Sequence, residues 1–256
     1  MSTDSPEDAP LEDDGQSFIS HLVELRTRLL KCVAAVLVVF VGLMPFSNDL
    51  YTGLARPLLD KLGGTSMIAT EVAAPFLVPF KLTLFVAAAA AAPYVFYQAW
   101  RFIAPGLYRH ERRLAGPLIA SSTALFYLGM VFAYYLVFPL MFGFFTTAAP
   151  DGVTVMTDIS RYLGFVMKIF LAFGIAFEVP IATFLLVRSG IVEVDDLAGK
   201  RPYVIVGAFA AGMLLTPPDV VSQFLLAIPV WLLFELGLVL ARVVGGGPAR
   251  ERLDAD

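Results

Sequence analysis

Six stretches of apolar residues run through this sequence, and their length decides what the chain can fold into. They cover residues 29–46, 82–100, 114–149, 162–187, 202–215 and 220–241. An α-helix rises about 1.5 Å per residue, so about 20 apolar residues cross a hydrocarbon core of about 30 Å. Prolines inside four of the stretches are expected to kink their helices. The sequence therefore predicts an all-α integral membrane protein with six transmembrane helices.

The composition supports a membrane protein. Of 256 residues, 58% are hydrophobic and 16% are charged, and the mean hydropathy is +0.78. A soluble domain carries about 25% charged residues. So few charges would not keep this much apolar surface in water, which excludes an ordinary soluble protein.

The distribution of basic residues predicts the topology. The stretch 202–215 is short, and a re-entrant loop there would leave five spans. However, 13 of the 18 Lys and Arg residues flank the chain ends or the second and fourth connections. By the positive-inside rule these segments are cytoplasmic, which requires an even number of spans. We therefore expect six spans with the last two short, and both termini in the cytoplasm.

The ends of the chain differ from its middle. Residues 1–16 include six acidic residues and no basic one, a composition typical of a disordered segment. We predict a disordered cytoplasmic tail at 1–16, a membrane domain at 17–242 and a short cytoplasmic tail at 243–256. Nothing in the pattern of charges predicts binding to nucleic acid.

Glu24 and Glu111 are the acidic residues that stand out among the basic segments. Glu24 precedes Arg28 by four residues, so an ordinary ion pair on one helix face explains it. Glu111 lies in an R-H-E-R-R loop, where three arginines already satisfy its charge. A ligand at Glu111 would have to compete with these arginines.

Glu178 lies inside the fourth apolar stretch, followed closely by Pro180. A charged carboxylate at the centre of a bilayer costs about 3 kcal/mol or more, so such residues mark functional sites. A neutral acid that bonds a backbone carbonyl is the structural alternative. Lys168 is ten residues away and rotated off the same face, so we expect no pair between the two.

The turn T-P-P-D at 216–219 separates the last two stretches. Asp219 is placed to cap the following helix, where its charge also suits the helix dipole. We group Gln223 and Glu235 with it as one polar cluster.

Signatures of enzymes are absent from the sequence. It contains no Walker loop, no His-Glu-x-x-His and no Gly-x-Ser-x-Gly. Two histidines and one cysteine do not build a metal site. We therefore expect no catalytic residues, no cofactor and no metal.

Four motifs occur in order along the chain: S-H-L-V-E-L-R-T-R-L at 20–29, F-I-A-P-G-L-Y-R-H-E at 102–111, F-E-V-P at 177–180 and T-P-P-D at 216–219. Together with Gln223 and Pro229 they resemble the TatC family, and its proteobacterial members in particular. TatC is the multi-span receptor of the bacterial twin-arginine protein-export system. The resemblance implies six helices in a concave bundle with short fifth and sixth spans.

The resemblance also implies roles for individual residues. Glu24 and Glu111 match acidic residues that recognise twin-arginine signal peptides, and two further residues match the same recognition region, namely Arg26 and Phe102. Pro57 matches a functional proline in the first periplasmic loop, and Glu178 matches the polar residue of the concave face. Asp219 and Gln223 match the last periplasmic turn. A guanidinium fork binds a carboxylate through two hydrogen bonds and lysine does not, which suits such a site.

The implied activity is the binding of signal peptides of folded precursors, and assembly of an export complex driven by the proton-motive force. The implied partners are single-span TatA- and TatB-like subunits, membrane lipid and further copies of the chain, in the bacterial inner membrane. The alternative from the residues alone is a proton-coupled transporter of a small solute that uses Glu178. The absence of an internal repeat counts against this alternative.

Overall fold

The computed structural model describes residues 12–61, 67–103, 115–148, 156–216 and 219–245. Helices and the turns between them make up nearly all of these residues, and an isolated parallel bridge joins Ile68 to Asp158. The predicted all-α class is confirmed.

Eleven α-helices occur in the described part of the chain. They are α1 (Glu12–Leu43), α2 (Ser47–Lys61), α3 (Ala74–Ala90), α4 (Ala92–Ile103), α5 (Ala115–Phe132), α6 (Phe138–Thr147), α7 (Ile159–Ala176), α8 (Val179–Arg188), α9 (Val194–Gly199), α10 (Arg201–Leu215) and α11 (Val220–Gly245). A short 3₁₀ turn joins α1 to α2, and a five-residue π-helical turn at Ala133–Val137 joins α5 to α6.

Six helical units correspond to the six apolar stretches. Four runs are long and apolar enough to cross a membrane, namely His21–Ala55, Gly116–Phe145, Ile159–Arg188 and Val220–Val243. The pair α3–α4 qualifies as a fifth, bent by 51° at its junction. Helix α10 is apolar but has 15 residues, about 22 Å of helix. It is short, as predicted, and its passage across the bilayer stays a prediction.

Prolines mark three of the breaks between helices. Each of these prolines is the second residue of its helix. Pro93 follows the bend at Ala91, Pro139 follows the π-helical turn, and Pro180 follows the break before α8. At this position the missing N–H of proline costs no intrahelical hydrogen bond. Pro229 lies inside α11, which continues through it. The predicted kink is therefore confirmed next to Pro93, while kinks at the other three prolines stay predictions.

Aromatic side chains fill the centre of the bundle. Phe138 of α6 meets Phe170 of α7 edge-on, with ring centroids 5.0 Å apart, and Phe173 is fully buried beside them. By contrast, apolar side chains along α1 and α11 are exposed, such as Val38 at 73% and Val243 at 76%. An apolar exterior around a packed interior is the arrangement that a lipid environment stabilises.

Successive helical units run in alternating directions, so the bundle has two distinguishable ends. The end named here the arginine-rich end carries Arg28, Arg101, Arg188, Arg201 and Arg242. The opposite end carries α2, Asp158 and Asp219. At the arginine-rich end α1 contacts α4 through Arg28 and Gln98, and near the end of α11 Arg242 pairs with Asp195. This agrees with the predicted topology, while the assignment of that end to the cytoplasm stays a prediction.

Candidate functional site

Glu24 lies on α1 at the arginine-rich end and is paired within its own helix. Arg28 donates from Nε to Glu24 Oε1 at 3.0 Å, and its Nη2 donates to the same oxygen. The i,i+4 ion pair expected from the spacing is therefore present. Glu24 Oε2 lies 4.0 Å from His21 Nδ1.

Helix α4 brings two further side chains to this pair. Arg28 donates from Nη1 to Gln98 Oε1 at 3.3 Å, and Gln98 is only 6% exposed. The His21 ring stacks on Phe102 with centroids 4.3 Å apart. The fold thus brings Glu24 and Phe102, two of the predicted site residues, into one cluster. We call these five residues the Glu24 cluster.

The other predicted residues of this region are less constrained. Arg26 is exposed and makes no hydrogen bond or ion pair with any described residue. Glu111 lies outside the described residues. Arg101, next to Phe102, donates to the Tyr97 hydroxyl at 2.9 Å.

Glu178 lies at the break between α7 and α8, where the chain is interrupted within a span. Its Oε1 is buried and has no hydrogen-bond partner within the described residues. It lines an open cavity of about 560 Å³ between α4, α5 and α8. Lys168 is exposed on α7 and forms no ion pair with Glu178, as expected.

The lining of this cavity is mostly apolar, and its polar residues include Ser122, which lies next to Glu178. The other principal lining residues are Phe96, Trp100, Ile181, Leu185 and Ser189. Trp100 lies on α4 two residues before Phe102, so it points to a different face of the helix, and no residue of the Glu24 cluster lines the cavity.

Asp219 caps α11 as predicted. Its Oδ1 accepts a hydrogen bond from the Ser222 N–H at 2.6 Å. Gln223 lies one turn further on and packs against α10, where a Cβ at Gly212 would lie 3.6 Å from its Cα. The polar cluster at this turn therefore holds Asp219 and Gln223 together.

Grouping Glu235 with this turn is wrong. Glu235 is 16 residues beyond Asp219 on the same helix, about 24 Å along the axis. It pairs instead with Arg201 of α10, which donates to its two carboxylate oxygens at 2.5 and 3.0 Å. The antiparallel pairing of α10 and α11 places the two residues together at the arginine-rich end.

Pro57 falls within α2 at the opposite end of the bundle. Helix α2 is fixed there by burial of Ala55, which is 1% exposed. The Tyr162 hydroxyl also donates to the Leu54 carbonyl at 3.1 Å. Pro57 is thus far from the Glu24 cluster, as its predicted place in the first outer loop requires.

Asp158 was not among the predicted residues. Its Oδ1 caps α7 by accepting from the N–H groups of Ser160 and Arg161 at 2.9 and 3.0 Å. Its Oδ2 accepts from the Thr70 N–H at 3.0 Å and from the Thr70 hydroxyl at 2.6 Å. One carboxylate therefore ties the first outer loop to the start of α7. An Asp directly before an apolar run is the usual sign of a cap, but nothing local indicates Thr70.

We expect Asp158→Ala to release the segment around Thr70 from α7. The Thr70 hydroxyl above all, and then backbone N–H donors, lower the pKa of Asp158 to about 2. The charged form is thus favoured in the folded state, and its stabilisation is complete above an ordinary Asp pKa of about 3.9. This stabilisation is lost as the pH falls from about 4 to 2.

Hydrogen exchange at the Ile68 and Thr70 amides measures the release. Thr70→Val, which removes one of the four donors, serves as the milder control, and unchanged exchange in Asp158→Ala would contradict the role of this carboxylate.

Comparison with known proteins identifies the family. The family described as Sec-independent protein translocase protein (TatC) matches residues 20–229. This chain belongs to the TatC family. The TatC protein of Escherichia coli K12 is 56% identical over 241 residues, covering 93% of each chain. That of Haemophilus influenzae is 59% identical over 231 residues, covering 90% of each.

Solved structures agree with the sequence relatives. A crystal structure of the twin-arginine translocase receptor TatC matches this TatC-family chain with a TM-score of 0.80 at 37% identity. The match covers 88% of this chain and 99% of the other. The chain is therefore a multi-pass membrane protein and a translocase component, and its family is not one of enzymes.

Proposed function

We propose that this TatC-family protein is the receptor of a twin-arginine translocase, and that it binds the signal peptides of folded precursors at the arginine-rich end. That end faces the cytoplasm, and the membrane is the bacterial inner membrane. Export is driven by the proton-motive force. The transporter alternative relied on Glu178 alone, and no relative supports it.

The observation that carries the proposal is the arrangement of the Glu24 carboxylate. Both hydrogen bonds from Arg28 go to Oε1, so Oε2 is left without an arginine among the described residues. It faces the surface beside the stacked rings of His21 and Phe102. A guanidinium binds a carboxylate oxygen through charge-assisted hydrogen bonds and also stacks on aromatic faces.

The cavity between α4, α5 and α8 offers a place for the apolar part of a signal peptide. It is mostly apolar from Trp100 to Glu178. We propose that the apolar residues that follow an arginine pair at Glu24 pass around α4 into this cavity. Burial of those residues then adds binding free energy that does not depend on charge.

The other predicted residues have roles consistent with their positions. We propose that Glu111 supplies a second carboxylate for the arginine pair and that Arg26 lies at its edge. Glu178 gives the inner end of the cavity a polar contact for a partner helix. At the opposite end, Pro57, Asp219 and Gln223 shape the outer surface. TatA- and TatB-like single-span subunits and further copies of this chain complete the complex, surrounded by lipid.

Crosslinking of a precursor in isolated membranes tests the receptor function. A photoreactive residue at Val23, which is exposed beside Glu24, reports contact without altering the Glu24 cluster. We expect strong labelling by a precursor with an Arg-Arg signal peptide and labelling about tenfold weaker when Lys-Lys replaces the pair, because lysine lacks the planar fork.

The same probe at Val72, which is fully exposed at the opposite end, is the control and should not be labelled. Equal labelling by the two precursors at position 23 would show that this protein is not the receptor.

A further inference from the structure

The Glu24 carboxylate is already occupied by an arginine of this chain. The Arg28 side chain is 17% exposed and lies between two acceptors, the Glu24 carboxylate on α1 and the Gln98 amide oxygen on α4. The resident guanidinium therefore makes the same kind of contact that an incoming arginine would make.

This occupancy sets a condition for binding. The ion pair of Glu24 and Arg28 is neutral, and Arg101 of α4 adds a further positive charge that acts on Glu24. A third guanidinium that approaches the free Oε2 while Arg28 stays in place would gain only part of the attraction of the carboxylate. For the incoming cation to gain the full interaction with Glu24, Arg28 has to give up its place.

We propose that Arg28 is a resident competitor that a signal peptide must displace from Glu24, and that Gln98 receives Arg28 when it is displaced. The proposal rests on the proposed receptor function and concerns the same site. On binding, Arg28 keeps its hydrogen bond to Gln98 and releases Glu24 Oε1, and the peptide arginine takes Glu24.

Gln98 suits this task because of its chemistry and its position. It is almost fully buried, so its side chain stays in place, and its amide oxygen already accepts from Arg28 Nη1 at 3.3 Å. A neutral acceptor holds the displaced guanidinium without attracting the peptide's own cation. An unpaired, partly buried guanidinium would otherwise be costly.

The competitor sets the affinity of the site and not its choice of cation. The free energy of displacing Arg28 is the same for every incoming cation, so it weakens binding of all signal peptides equally. The choice is made by the freed Glu24 carboxylate, where a guanidinium makes a forked contact and an ammonium group is a point charge without the fork. Selectivity is the difference between these two affinities.

Binding of Arg-Arg and Lys-Lys signal peptides to the purified full-length protein in lipid nanodiscs tests the proposal. Arg28→Gln removes the competitor, so we expect both peptides to bind about two- to fivefold more tightly, the effect of an exposed charge pair, with the ratio of their affinities unchanged. Gln98→Leu removes the receiving acceptor, so binding of both peptides should weaken. Arg28→Lys, a weaker competitor, should give intermediate affinities.

Lys31→Gln is the matched control, because it removes one positive charge from an exposed position of the same helix and should leave both affinities unchanged. If Arg28→Gln weakens binding of the two peptides or leaves it unchanged, Arg28 only positions Glu24 and the exchange is wrong. If the wild-type protein shows no preference at all, the receptor function itself fails. The two failures are therefore distinguishable.

Discussion

Replacing Glu24 with alanine is expected to weaken binding of an Arg-Arg signal peptide by about tenfold or more, the usual effect of losing a hydrogen-bonded charge. The variant removes the carboxylate that the incoming guanidinium requires and leaves Arg28 with Gln98 alone. The peptide arginine would then meet an uncompensated positive charge. Loss of attraction and gain of repulsion act in the same direction, so the effect should exceed that of removing any other side chain of the Glu24 cluster.

The experiment compares peptide binding and export in three variants. Glu111→Ala should weaken binding in the same direction, since we propose that it supplies the second carboxylate. Asp49→Ala removes an exposed acidic residue from α2 at the opposite end and should have no effect. Unchanged crosslinking in both glutamate variants would remove the proposed roles of these residues.

Replacing Gly237 with alanine is expected to destabilise the protein, although alanine is the better helix former. A Cβ at this position of α11 would lie 2.9 Å from Thr183 Cβ and 3.0 Å from Pro180 Cα of α8. The second contact is with backbone, so a change of rotamer does not relieve it. The helices must move apart, and overpacking of this kind costs about 1–3 kcal/mol. Thermal unfolding in detergent should show a lower Tm.

Gly207→Ala is the matched control for this prediction. Gly207 also lies within a helix, α10, but a Cβ there would meet nothing within 4 Å. Alanine is favoured over glycine inside a helix by about 1 kcal/mol, so this variant should be neutral or slightly more stable. If the two variants change Tm in the same direction, close packing of α8 against α11 does not limit stability.

The apolar segments could be predicted from the sequence because each is a local property of the chain. Stretches of apolar residues at known rise per residue fix helix lengths, and the short α10 was evident from 202–215 alone. Bends were harder to predict. Three prolines stand at the second position of a helix, whereas Pro229 lies inside α11. The sequence alone does not distinguish these two positions.

The site was predictable where its contacts are local. The pair of Glu24 and Arg28 follows from i,i+4 spacing, and the Asp219 cap follows from its place before an apolar run. Contacts between distant segments did not follow. Gln98 is 70 residues from Arg28, and Thr70 is 88 residues from Asp158. No periodicity relates such residues, so the sequence alone reveals neither contact.

Glu235 shows how a local argument fails in a long helix. Its position near Asp219 in the sequence suggested a shared cluster, yet the two lie about 24 Å apart along α11. The partner of Glu235 is Arg201 on the neighbouring helix. In antiparallel helices, residues equally distant from the connecting turn meet, and that rule would have found the pair once the turn at 216–219 was recognised.

The π-helical turn at Ala133–Val137 has a consequence for how this protein tolerates changes in chain length. One additional residue within a helix shifts the phase of every later side chain by about 100°. Downstream of the turn, Phe138, Met141 and Phe142 point into the core. Deleting a single residue there, even the exposed Tyr135, would restore a regular helix and rotate these three side chains away from the core. Exposed residues of this segment can therefore be substituted, but a deletion within it would disrupt the core.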